Sequence, residues 1–147
     1  MKVEHKAWVV VADGRKAIVA QNIGALFEPK LDVRSVLEAE PNPPTQAQGS
    51  DRPGRTHDST SARRSAVGQT DWHDQAESAF ARRTADALEQ LCRTEAVEQL
   101  ILIAAPRTLA SLREALSPHV RSRTVVEIDK DLTNHPVREI EKALADL

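Results

Sequence analysis

Residues 100–105, Leu-Ile-Leu-Ile-Ala-Ala, form the most apolar run in the chain, and no polar side chain interrupts it. A strand with one wet face would alternate apolar with polar, and a helix needs a longer stretch to show its period. Six unbroken apolar residues therefore predict a strand covered on both faces. Such cover is the habit of a central parallel strand lying between two layers of helix.

The rest of the chain supplies the neighbours that this strand requires. Residues 7–12, Ala-Trp-Val-Val-Val-Ala, are β-rich and end at Asp13-Gly14, after which residues 17–21 read as strand again, a hairpin signal. Gly24 ends the second strand. Leu31 to Glu40 alternates imperfectly and is expected to be an edge strand with a bulge. Three strands with short joins predict an antiparallel meander. Thr70 or Asp71 is expected to cap a helix reaching about Thr94, with Trp72, Ala76, Phe80, Ala87, Leu88 and Leu91 on one face. Pro106 suits the first turn of a helix carrying Leu109, Leu112 and Leu116, which stops at Ser117-Pro118. Thr124 to Ile128 is the last strand. Thr133-Asn134 with Pro136 opens a final helix whose face holds Val137, Ile140, Leu144 and Leu147.

The order is βββαβαβα. Right-handed crossovers place the strands at Leu100 and Thr124 side by side, next to the first strand of the meander. The predicted fold class is therefore α/β and ribonuclease-H-like: a five-stranded mixed sheet, three strands antiparallel and two parallel, with helices on both faces. At 147 residues the chain fits one such domain, 1–147.

Trp8, Phe27, Trp72 and Phe80 are the only aromatic residues, so the core must be thin and alanine-rich. A modest core leaves room for burial against a second copy, which is compatible with a homodimer. The net charge of −2 announces no global attraction to nucleic acid or membrane, so any such binding must be local. Cys92 is single and falls on the apolar side of a predicted helix, where it is expected to be buried and inert. The start of the chain lacks a signal-peptide pattern and no run is long enough to span a bilayer; the expectation is a cytoplasmic protein without a membrane partner.

Between residues 41 and 70 the pattern collapses. Pro41, Pro43, Pro44 and Pro53 punctuate it, and Val67 is its only large apolar residue, which predicts a mobile loop. That loop carries Arg52, Arg55, Arg63 and Arg64 against Asp51 and Asp58. Arginine forks suit phosphates, and flexible arginine segments often order on RNA; a merely solvated loop explains the same residues. Arg107, Arg113 and Lys130 fall near the C-terminal ends of predicted strands, where open α/β sheets bind ligands, although surface ion pairing accounts for them equally.

No constellation announces catalysis, and no cofactor is expected. The first strand holds no acid, and Asp13 beside Gly14 has the ordinary role of a turn residue. No spacing argument joins it to Asp129 or Asp131. Asp71, His73 and Asp74, with His57 and Asp58 upstream, have ligand chemistry but diverging directions on a helix, so no metal site is expected. Nucleophilic catalysis has no support either, since no triad can be assembled.

Four stretches carry a resemblance: residues 11–17 (Val-Ala-Asp-Gly-Arg-Lys-Ala), Phe80-Ala81-Arg82, residues 102–113 from Leu102 to Arg113, and residues 127–133 from Glu127 to Thr133. Together they resemble the bacterial host-attachment protein family, described as required for attachment to host cells. Within or beside these stretches, Arg15, Arg107, Arg113, Lys130 and Asp131 form a further candidate surface site. The family looks related to the middle domain of archaeal and eukaryotic peptide-chain release factors. In those factors a Gly-Gly-Gln motif on a mobile loop helps water attack peptidyl-tRNA. Val67-Gly68-Gln69 occupies the corresponding place, with Val67 for the first glycine, so the resemblance implies Gly68 and Gln69 as catalytic candidates. Two functional readings stay open. One is an intracellular module associated with the ribosome, tRNA or other RNA; the other is a protein-interaction module that serves attachment indirectly and without catalysis.

Overall fold

The computed structural model describes residues 1–40 and 59–147, with the side chains of 59–71 left aside. The strands are β1 (Trp8–Ala12), β2 (Lys16–Asn22), β3 (Leu31–Glu38), β4 (Leu100–Ala104) and β5 (Thr124–Asp129). The helices among the described residues are α1 (Ser59–Thr94), α2 (Pro106–Ala115), α3 (Pro118–Arg123) and α4 (Val137–Asp146). The five strands form one sheet in the order β3-β2-β1-β4-β5. The β1–β2 and β2–β3 pairs are antiparallel, whereas β1–β4 and β4–β5 are parallel. This is the predicted five-stranded mixed sheet.

The apolar run sits where its composition requires. Every residue of β4 is buried, and its side chains divide alternately between two cores, as the two-residue period of a strand dictates. Leu100, Leu102 and Ala104 join Trp8, Val10, Ala17 and Val19 beneath Phe80, Leu88, Leu109 and Leu112 of α1 and α2. Ile101 and Ile103 join Val9, Val11, Ile18 and Ile128 on the opposite face, beneath Ile140 and Leu144 of α4.

β3 forms the margin. Its pairing with β2 shifts register between Val19 and Ala20, which pair with Ser35 and Val33, so Arg34 is the extra residue of a bulge. Bulges twist an edge away from further pairing. The Arg34 guanidinium is anchored inward: it donates to Gln21 Oε1 at 2.9 Å and lies 5.3 Å from the Trp8 ring centroid.

Three expectations need correction. The long helix begins at Ser59 rather than at Thr70, so residues 59–70 are helical and the expected loop is shortened from its C-terminal side; residues 41–58 lie outside the described residues. Alanine and arginine are good helix formers, Pro53 is the last proline before this stretch, and Gly68 alone does not stop a helix. From residue 72 on, where the side chains of α1 are described, its buried face consists of Phe80, Ala81, Thr84, Ala85 and Leu88, whereas Trp72 and Ala76 are exposed. Finally, Ser117-Pro118 does not lead directly into β5. It starts the short α3, whose first turn is capped by Ser117 Oγ accepting from Val120 N at 3.2 Å.

Candidate functional site

The parallel strands β1, β4 and β5 all end at one edge of the sheet, and the segments that follow them, at Asp13, Ala105 and Lys130, share that edge. In open α/β sheets this edge is where ligands bind.

Asp13 closes the β1–β2 turn. Its Oδ1 accepts from Arg15 N at 2.8 Å and Lys16 N at 2.7 Å, while its backbone N–H donates to Lys16 O at 2.8 Å. This is the turn role expected of an aspartate before glycine. The second oxygen reaches across the sheet: Thr133 Oγ1 donates to Asp13 Oδ2 at 2.5 Å and lies 3.2 Å from Asp131 Oδ1. Thr133 is itself buried. Asp13 and Asp131 therefore do meet, around one hydroxyl, which no spacing rule indicated. Among the described residues no three His, Cys, Asp or Glu side chains form a group that could hold a metal ion.

Two of the cationic candidates, Arg107 and Arg113, are drawn into ion pairs. Arg107, at the start of α2, pairs with Asp74 and lies 3.7 Å from Glu77 of α1. Arg113 binds Glu127 of β5 with both Nε and Nη2 at 2.8 Å, a two-pronged contact. Lys130 and Asp131 are exposed. Arg15 lines a shallow cleft of about 50 Å3 with Gly14, Glu40, His73 and Glu77. Arg52 and Arg55 lie outside the described residues. Arg63, Arg64, Gly68 and Gln69 fall on the helical backbone of α1, and their side chains lie outside the described residues.

Gly14 is required by a close approach. A Cβ added there would stand 2.8 Å from Glu77 Cγ, so the Glu77 side chain lies directly over the β1–β2 turn. Cys92 is half-buried rather than fully buried; burial, then the nearby Glu89 carboxylate, push its thiol above the ordinary range, which keeps it protonated and unreactive.

Glu89 accepts from Ser117 Oγ, the hydroxyl that also caps α3, and pairs with Arg93 at 3.2 Å. The Ser117 hydrogen bond is the main reason its carboxyl titrates below the ordinary 4.5, with Arg93 adding to the effect against the opposing cost of burial. A folded value below the unfolded one stabilises the fold above the unfolded value, and that stabilisation is lost as pH falls through the folded value. The difference in melting temperature between the parent chain and Glu89→Gln should be constant near neutrality and should shrink only below about pH 4.5. Thermal melts across pH 3–7 check this, and a gap unchanged at the acid end would contradict it.

The fold and this edge define a small α/β domain in which Asp13 and Asp131 converge on Thr133 while Arg107 and Arg113 are held by Asp74, Glu77 and Glu127. The family described as "Protein required for attachment to host cells" matches residues 8–144, and the chain belongs to that family. No curated protein matches it. No described helix is long and apolar enough to cross a membrane.

Proposed function

We propose that the chain serves attachment as a protein-binding module without a catalytic step, and that its contact surface is the uncovered face of the edge strand β3. The observation that carries this reading is the exposure of Val33 and Val36, 39% and 48%, on a strand that is paired along its length. Both valines pair with residues of β2, Ala20 and Ile18, whose side chains point to the α4 side of the sheet. The bulge at Arg34 blunts the outer edge against strand addition, so the face is the surface on offer. Two exposed valines beside buried Ile18 and Ala20 suit a folded protein partner with a complementary apolar patch.

The strand-end edge supports the non-catalytic part of the proposal. Asp13 and Asp131 share the Thr133 hydroxyl, and Arg107 and Arg113 are committed to carboxylates. An RNA- or ribosome-associated role rests instead on Arg52, Arg55, Arg63 and Arg64, and peptidyl-tRNA hydrolysis on Gly68 and Gln69.

Attachment assays with cells that produce only variant chains distinguish these roles. Val33→Asp combined with Val36→Asp should abolish attachment while the purified variant keeps its parent circular dichroism, and Arg63→Ala combined with Arg64→Ala should leave attachment intact. The opposite pattern, accompanied by nuclease-sensitive capture of ribosomes, would replace the protein-binding role with the RNA role. A peptidyl-tRNA release activity lost in Gln69→Ala would overturn the non-catalytic part.

A further inference from the structure

We propose that a single bound water is a fixed part of this fold, held by Thr84 where α1, α2 and the β1–β2 turn meet. Thr84 belongs to the buried stripe of α1 and is 1% exposed, yet its hydroxyl has no hydrogen-bond partner among the described residues. A threonine in a helix has the carbonyl one turn back within reach, and here that bond is not made. A buried hydroxyl left dry carries its full desolvation penalty.

Thr84 lines a small cavity whose other polar residues are Asp13, Glu77, Thr108 and Ser111, with Ala12, Gly14, Ala81 and Leu112 completing the wall. The room for the centre of a water-sized molecule is about 10 Å3, which accommodates one water and no second. The lining chemistry fits that occupant. Three hydroxyls can each donate or accept, two carboxylates accept only, and water supplies both functions at once. An anion would face two carboxylates. A metal ion would have to compete for Asp13, whose oxygens already accept from Arg15 N, Lys16 N and Thr133.

Glu77 closes the site. Its side chain lies over Gly14 and lines both this cavity and the outer cleft, and Arg107 stands beside it. The water bridges α1, α2 and the β1–β2 turn at the strand-end edge beneath Glu77.

Water-to-protein cross-relaxation in NMR of the full chain, read at Thr84, Thr108 and Ser111, tests the proposal together with thermal melts. The parent chain should show a long-lived water contact at Thr84. Thr84→Val, which keeps the side-chain shape and removes the hydroxyl, should lose that contact and lower the melting temperature by about 3 °C. Thr84→Ser should retain the contact. A parent chain without a long-lived water at Thr84 overturns the proposal, and so does a Thr84→Val variant that melts higher than the parent, since removing a dry hydroxyl should stabilise.

Discussion

Asn22→Asp should lower the stability of this domain by about 4 kcal/mol, a loss read as a fall of about 10 °C in melting temperature. Asn22 is fully buried at the end of β2, and its amide makes its whole complement of bonds. Nδ2 donates to Val3 O at 3.0 Å and Glu4 O at 3.1 Å; Oδ1 accepts from Gly24 N and Lys30 N, both at 2.9 Å. The substitution keeps the shape and the accepting oxygen. It also turns the second arm into an acceptor facing two carbonyls, with a charge buried beside them. Breaking a buried polar network from one side costs more than the bonds themselves, because the abandoned groups stay desolvated. The effect also spreads: Lys6, next to this network, has a left-handed φ of 78°, and its N–H donates to Asn22 O at 2.7 Å. With Asn22 intact that strain is held in place. Denaturant melts of Asn22→Asp and Asn22→Ala settle the point, and a change under about 1 kcal/mol for both would show that the network does not hold the N-terminal segment.

Asn22 also shows what the sequence could and could not disclose. The sheet was legible because its signal is local: six apolar residues announce β4, Asp13-Gly14 announces the hairpin, and Pro106 announces α2. Asn22 has no such signature, since an asparagine at a strand end ordinarily reads as a turn residue, and the two carbonyls its Nδ2 serves lie 18 and 19 positions upstream. The meeting of Asp13 with Thr133 spans 120 positions, and only the closed sheet brings them together. Arg107 and Arg113 looked alike as ligand-binding or ion-pairing groups; the choice depended on Asp74 and Glu127 arriving opposite them, which is a tertiary fact. Thr84 was invisible for a different reason. A polar residue inside an apolar stripe breaks the helical pattern rather than marking it. The early start of α1 hides behind the loop-like composition of its serine, glycine and arginine, although no proline lies between Ser59 and Thr94 to end a helix.

The central placement of β4 carries the second large effect. Leu102 has no exposed surface and pairs in register with Val10 on one side and Glu127 on the other, so Leu102→Ala leaves a cavity roofed by α1 and α2 that the sheet cannot close by shifting. Truncations of this kind cost about 2–5 kcal/mol, and a strand locked on both edges belongs in the upper half of that range. Val36→Ala removes methyl groups from the margin of the same sheet, where the side chain is 48% exposed, and should cost under about 1 kcal/mol. The contrast matters more than either value. Both substitutions shorten an apolar β residue, and they differ in position: one strand has two neighbours and two covered faces, the other has one neighbour and an open face. Urea denaturation of the two variants measures the difference directly. Equal losses would mean that Val36 is covered in solution, by a second copy or by another part of the chain. In that case the valine face proposed for a partner would already be occupied.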